Sequence, residues 1–300
     1  MESVDNWLRL IEADGVVVLR ATVSGDWGCD TGVRDTPVFH FVAEGSCYLR
    51  LPGVAPLEIC AGELVVLPRG DAHVMSRLPG SEVIPLSEFM QLHNGQVEQG
   101  GSRTTILCGV FNLDRHIALP AIKALPTVLH LRSHGQSSDS PIARMLALLR
   151  TEVDSQGFGN DIIVRNLLSS LFVYFMRDWA LAQEPGAANW FGAIRTTHTA
   201  RALACIHDSP EKQWTLAQLA QEAGLSRAAF ARQFNDAVGE PPHNYLTRWR
   251  MGVAARLLEK TTLRLADIAR QVGYESESSF SRAFKQNRGV APAHFKRSAH

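Results

Sequence analysis

Two stretches decide the fold: Leu216-Ala-Gln-Leu-Ala-Gln-Glu-Ala-Gly224 and Leu265-Ala-Asp-Ile-Ala-Arg-Gln-Val-Gly273. They repeat one pattern at an offset of 49 residues. Downstream the offset becomes 50. Phe230 and Phe234 match Phe280 and Phe284, Gly239 matches Gly289, Pro242 matches Pro292, and Tyr245 matches Phe295. So many ordered matches mark an internal duplication, with one extra residue in the second turn.

Each copy carries the local chemistry of a helix-turn-helix. Thr215 and Gln218 have capping-box spacing. Ala220 and Ala269 are small where two helices cross. Gly224 and Gly273 supply a turn residue that takes φ > 0. Ser226 and Ser276 stand where a second helix needs a cap. Pro242 fits the first turn of a connecting helix, whose apolar stripe is Leu246, Trp249, Val253 and Leu257. The second helix of each unit is expected to enter the major groove. Its outward residues are Arg227, Ala228, Ala229, Ala231, Arg232 and Asn235 in one copy. In the other they are Glu277, Ser278, Ser279, Ser281, Arg282 and Lys285. Arg bonds guanine bidentately, Glu accepts from cytosine, and Ala meets thymine methyls. The helix N-termini at Ser226 and Ser276 offer amides to phosphate. Arg248, Arg250, Arg256, Arg264, Arg270, Arg288, Lys296 and Arg297 are candidate phosphate contacts.

Residues 197–298 resemble the DNA-binding domain of the AraC/XylS transcription regulators. The resemblance is carried by Ile268-Ala269-x-x-Val272-Gly273-Tyr274-x-Ser276-x-Ser278-x-Phe280-Ser281-Arg282-x-Phe284-Lys285 and then Gly289-x-x-Pro292-x-x-Phe295-Lys296-Arg297. It implies seven helices, two reading heads on a rigid connecting helix, and adjacent major-groove segments on one DNA face. The positions matching the family's base-reading residues are Ala228, Arg232, Glu277, Ser278 and Arg282. Phe295-Lys296 departs from the family's usual Tyr-Arg.

Composition is compatible once the chain is divided. Over 300 residues, Lys+Arg and Asp+Glu are both 30, a formal net charge of zero. Residues 190–300 hold 16 basic and 9 acidic residues, a net +7, which leaves −7 for residues 1–189. The basic segment coincides with the duplication, as a DNA-binding segment requires. The N-terminus lacks a basic, then apolar, leader, so no secretory signal is expected. No apolar stretch reaches the ~20 residues of a membrane helix. Five cysteines, an odd number without a CxxC, fit a reduced cytoplasm.

The front half reads as strands. Val16–Leu19, Val38–Val42, Cys47–Leu51 and Leu64–Leu67 are short β-branched or aromatic runs between Gly and Pro turns. That pattern implies a sandwich or barrel. Residues 81–102 read as a loop or hairpin. After Pro141 the period becomes helical, with Ile142, Met145, Leu146, Leu149 and Val153 on one face. A second helix over about 161–182 has so little polar face that most sides should be buried, against the barrel or in a dimer interface. Residues 184–188 read as linker.

Gly62-x5-Pro68-Arg69-Gly70-x2-His73 resembles the second motif of the cupin barrels, in which the histidine binds metal. Val38 occupies the place of the first motif's glutamate, and no His-x-His precedes it. A full metal triad, and with it the alternative of a metal-dependent cupin enzyme, is therefore not expected. His40 follows Val38 by two residues and shares its face of the strand. His40 and His73 are then candidate effector-binding residues in one cavity, or zinc ligands with Cys108 as a third. Phe39-His40-Phe41-Val42-x-Glu44-Gly45, Leu64–His73 and Leu107-Cys108-Gly109 also resemble a cupin-type sensor domain of one AraC/XylS subgroup. Some members of that subgroup sense oxidants through cysteine. The resemblance makes Cys108 a candidate redox residue with Cys29 as its partner.

The sequence thus implies a multidomain chain. An all-β cupin-like sensor domain spans 1–138, a helical dimerisation or relay segment 139–184, a linker 185–196, and an all-α tandem helix-turn-helix domain 197–300. The expected function is a cytoplasmic, sequence-specific transcription regulator, activator or repressor, without catalytic residues or a required cofactor. Expected partners are promoter double-stranded DNA, an effector or oxidant, a second copy of the chain, and RNA polymerase if it activates. No membrane partner is expected.

Overall fold

A computed structural model describes residues 7–8, 13–93, 103–132, 140–155, 157–184 and 189–299. The chain divides into two compact units. One comprises 13–113 and 125–176; the other comprises 1–12, 114–124 and 177–300.

The first unit is built on two five-stranded sheets. One has the order β1 (Asp14–Ser24), β9 (Arg103–Asn112), β3 (Val38–Glu44), β6 (Glu63–Leu67), β10 (Leu129–Leu131). The other runs β5 (Leu57–Cys60), β4 (Ser46–Arg50), β7 (Val74–Ser76), β2 (Gly28–Asp30), β8 (Ile84–Pro85). All pairs are antiparallel except β2 with β8. The four expected strand runs fall on β1, β3, β4 and β6. Alternation points Leu19, Ala21 and Val23 of the first sheet and Cys47 and Leu49 of the second into one shared core. Strand β3 is buried on both faces. Val38, His40 and Val42 face the interior. Phe39 packs on Phe111 (ring centroids 5.2 Å), and Phe111 on Phe172 of a covering helix (4.9 Å).

Among the described residues, three helices accompany the sheets. Helix α1 (Leu86–His93) lies in the stretch read as loop, and buries Phe89 against the core. Its Leu86, Phe89 and Met90 have helical spacing, but eight residues behind a proline give a weak signal. Residues 94–102 of the same stretch lie outside the described residues. Helix α3 (Pro141–Asp154) is capped by Ser140, whose Oγ accepts from the Ala143 amide at 3.1 Å. It buries Ile142, Leu146, Leu149 and Val153, as the periodicity requires. Helix α4 (Asn160–Ala182) corrects the expectation of burial on most sides. Val164, Leu168, Leu171 and Phe172 are buried, but Ile162, Ile163 and Val173 are exposed.

The second unit holds α2 (Arg115–Ala124), α5 (Trp190–Arg195) and seven helices over Thr197–Ala299, the number the resemblance implied. These are α6 (Thr197–Asp208), α7 (Leu216–Glu222), α8 (Arg227–Val238), α9 (Pro242–Lys260), α10 (Leu265–Gln271), α11 (Glu277–Arg288) and α12 (Pro292–Ala299). Phe230 and Phe234 anchor the first helix-turn-helix, with His207 stacked on Trp249 at 3.7 Å. Phe280 and Phe284 anchor the second, with Ile268 and Val272. The division differs from the expected boundaries in two ways. Helix α3 and most of α4 join the sheets instead of forming a separate segment. Helix α2, although encoded between β9 and β10, joins the helix-turn-helix unit together with Trp7. Residues 190–195 are helix and not linker, because Trp190, Phe191 and Ile194 are buried; the Trp7 and Trp190 rings lie 4.4 Å apart.

Candidate nucleic-acid interface and sensor cavity

The reading helices are set by local chemistry. Thr215 and Gln218 make the full capping box on α7. Ser226 Oγ accepts from the Ala229 amide at 3.3 Å, and Ser276 Oγ from the Ser279 amide at 3.2 Å. Gly224 and Gly273 adopt φ of +68° and +79° at the two turns. Helices α8 and α11 end on Gly239 and Gly289, also left-handed. The duplication therefore holds at the level of backbone angles.

Burial separates the two faces of each reading helix. Ser226, Arg227, Ala228, Arg232 and Asn235 are exposed and Ala229 is half-buried. Ser276, Glu277, Ser278, Arg282 and Lys285 are exposed and Ser279 is half-buried. The phenylalanines behind them are fully buried.

Several cations expected at phosphate are instead internal. Arg250 is buried; its Nε donates to the Pro210 carbonyl (2.6 Å) and its Nη2 to the Lys212 carbonyl (2.9 Å). It thereby braces the loop before the first helix-turn-helix to Gly273 in the turn of the second, where Gln213 donates to the Gly273 carbonyl at 2.5 Å. Arg248 bonds Glu240 and the His116 and Ile117 carbonyls. Arg288 makes a bidentate pair with Asp114, at 3.0 and 2.7 Å. Lys296 donates to the Leu263 carbonyl at 2.8 Å. A sequence signal existed for two of these. Arg288 continues the Phe280–Phe284 stripe by four residues, and Arg250 follows Leu246 by four, so both lie on core-facing sides.

In the other unit His40 and His73 come together, but of the two only His40 is among the residues lining the cavity beside them. Their Nε2 atoms are 2.6 Å apart, and both residues are buried. His73 Nδ1 lies 2.7 Å from the Asp71 carbonyl and 3.0 Å from Thr31 Oγ1. Thr31 Oγ1 in turn donates to the His73 carbonyl at 2.8 Å. Thr31 and Asp71 were not singled out in the sequence; the Thr31 contact spans 42 residues and leaves no local pattern, whereas Asp71 contributes its backbone carbonyl, which no residue type announces. Burial holds both imidazoles below the usual histidine range. His40 lines a cavity of about 70 Å³ whose other walls include Leu19, Val38, Met75, Leu86 and Phe89.

The cavity also touches Cys29 and Cys108. Both are free and buried. Burial pushes the Cys29 thiol up to about 12 and the Cys108 thiol well above its usual range. Redox-sensing thiols need the opposite shift. For metal, two imidazoles are short of the three protein ligands of an open site. Among the described residues no group of three His, Cys, Asp or Glu completes them. No helix among those residues is long and apolar enough to cross a membrane.

Comparison with known proteins agrees with this geometry. Residues 3–181 match the Cupin family and residues 219–298 a Helix-turn-helix domain. The chain is 31% identical to the HTH-type transcriptional regulator AlkR of Acinetobacter baylyi over 93% of each chain. It is 26% identical to the RCS-specific HTH-type transcriptional activator RclR of Escherichia coli over 99% of this chain and 97% of that one. The solved C-terminal domain of AraT, a response regulator from Geobacillus stearothermophilus, is 29% identical over 34% of this chain and 84% of that one, with a TM-score of 0.32. A β-rich cupin unit with a tandem helix-turn-helix unit defines a one-component transcription regulator. The chain belongs to the AraC/XylS family of HTH-type transcription regulators, in its cupin-bearing form, and these are DNA-binding proteins and not enzymes.

Proposed function

We propose that this regulator reads adjacent major-groove segments with α8 and α11 and is controlled by a small effector held at His40 and His73. One observation carries the DNA reading: both helices present exposed polar faces from equivalent serine-capped turns, on a segment of net +7. Arg232 and Arg282 are the base-reading cations, supported by Glu277 and Ser278. The internal positions of Arg248, Arg250 and Arg288 favour base and phosphate contacts from α8, α11 and the exposed Arg264 and Arg297. The test is binding to DNA from upstream of its own and neighbouring genes. Arg282→Ala should lose about 5- to 150-fold on the specific site, equivalent to ~1–3 kcal/mol, and little on non-specific DNA. Equal affinity of both proteins for the site would remove α11 from the groove.

Effector control is favoured over an oxidant switch because the same burial that makes the cavity disfavours both thiolates. Cys108→Ser should therefore leave the response to the natural signal intact; its loss would restore the redox reading. The exposed Ile162, Ile163 and Val173 on α4, with Leu148 on α3, support pairing with a second copy of the chain. Ile163→Glu should convert a dimer to a monomer in sedimentation, and an unchanged mass would place the dimer contact elsewhere. A chain that acts on promoter DNA works in the cytoplasm, with RNA polymerase as partner where it activates.

A further inference from the structure

We propose that the His40 cavity takes a small apolar molecule that carries one hydrogen-bond donor, such as a phenol or a primary alcohol. The inference rests on the effector reading above and names the chemistry of that site. It follows from the protons of the histidine pair. A carbonyl only accepts, so the Asp71 carbonyl, 2.7 Å from His73 Nδ1, requires the hydrogen to sit on that nitrogen. Thr31 is consistent, since its own hydrogen goes to the His73 carbonyl and leaves a lone pair toward Nδ1. A neutral His73 then has a bare Nε2. The 2.6 Å contact needs one hydrogen, so His40 Nε2 supplies it. A neutral His40 is left with a bare Nδ1, an acceptor. That Nδ1 is buried and has no partner among the described residues. Its other nitrogen is taken, so Nδ1 is the hydrogen-bonding atom His40 can offer to whatever the cavity holds.

The remaining walls fix the rest of the ligand. They are mostly aliphatic and aromatic; of the others, Thr31 already gives its hydrogen to the His73 carbonyl, and Cys29 and Cys108 offer only weakly polar thiols. The space of about 70 Å³ holds roughly five to seven water-sized spheres at ~10–15 Å³ each. A molecule of about six to eight non-hydrogen atoms fits that scale. The charged side chain lining the cavity, Arg34, is exposed. A carboxylate placed at the His40 end would meet a lone pair and no donor.

Phenol, toluene and benzoate separate the possibilities, because phenol and toluene are nearly the same size. Binding of each to the full chain is measured by isothermal titration calorimetry. Phenol should bind about tenfold or more tighter than toluene, the scale of one buried hydrogen bond, and tighter than benzoate. His40→Phe should remove the difference between phenol and toluene while leaving toluene binding. Toluene equal to phenol overturns the donor requirement but keeps the cavity as a ligand site. Benzoate binding tightest places recognition at Arg34 and overturns the inference. Binding of none of the three removes the effector site itself. The wild-type comparison decides the matter even where the variant fails to fold.

Discussion

Gly273 is where residue-scale physics is most exposed. Its φ of +79° is costly for any residue with a Cβ. A Cβ there would also stand 2.6 Å from Arg250 Nη2 and 2.6 Å from the Glu211 carbonyl. Gly224 shares the backbone angle, but the nearest atom to its Cβ is 3.9 Å away. Gly224→Ala should therefore cost about 1–2 kcal/mol, the backbone term alone. Gly273→Ala should cost at least ~2 kcal/mol more, because Arg250 must give up a charged hydrogen bond. Urea unfolding followed by circular dichroism compares them; equal losses would mean that Arg250 yields freely. The histidine pair gives a pH test at the same scale. Burial lowers both folded-state pKa values, so below about pH 6.5 the unfolded chain takes up protons that the folded chain refuses. Stability present above that pH should fall on acidification, by up to ~1.4 kcal/mol per pH unit for each histidine. His40→Phe should flatten the slope between pH 7.5 and 5.5, and an unaltered slope would assign the protons elsewhere.

At the scale of elements, what was legible was what is local. Caps at i to i+3, turn glycines and phenylalanines at i, i+4 set α7, α8, α10 and α11, and each is written in a few consecutive letters. Strands β1, β3, β4 and β6 were legible for the same reason. The His40 face was read from a period of two. The placement of α2 was not legible. Nothing in Asp114 or in 115–124 announces that this segment joins a unit whose other members lie in residues 1–12 and from 177 onward. The deciding pair, Asp114 with Arg288, spans 174 residues. Its side chains are 17% and 7% exposed, so removing one partner strands a charge in a poorly solvated site. Asp114→Ala should destabilise the DNA-binding unit by about 3–5 kcal/mol, whereas Asp114→Ala with Arg288→Met should recover most of the loss. A double variant no better than the single one would show that the ion pair is not what holds α2.

For the whole molecule the balance of charge decides how strongly salt controls function. A formal net charge of zero and a pI of about 7.2 suggest a chain indifferent to polyanions. The division into −7 and +7 removes that objection, yet counting all 16 cations of residues 190–300 overstates the attraction in turn. Arg248, Arg250, Arg288 and Lys296 are bonded to carbonyls or carboxylates within their own unit, and Arg270 pairs with Asp267. The exposed cations on or beside the reading helices are Arg227, Arg232, Arg282 and Lys285, with Arg264 and Arg297 next to the second unit. Each phosphate neutralised adds ~0.9 to the magnitude of the log affinity against log salt slope. Six such cations, some of them on bases, set a slope of about −4 to −5 for specific binding. Arg282→Ala should change specificity more than slope, whereas Arg297→Ala should reduce the slope by about one with little effect on sequence preference. That slope is per bound chain, so a dimer on two half-sites should show about −8 to −10. A slope near −10 with a single chain bound would require the internal arginines to leave their carbonyls on binding, and would make release of Arg248 and Arg288 part of how this unit engages DNA.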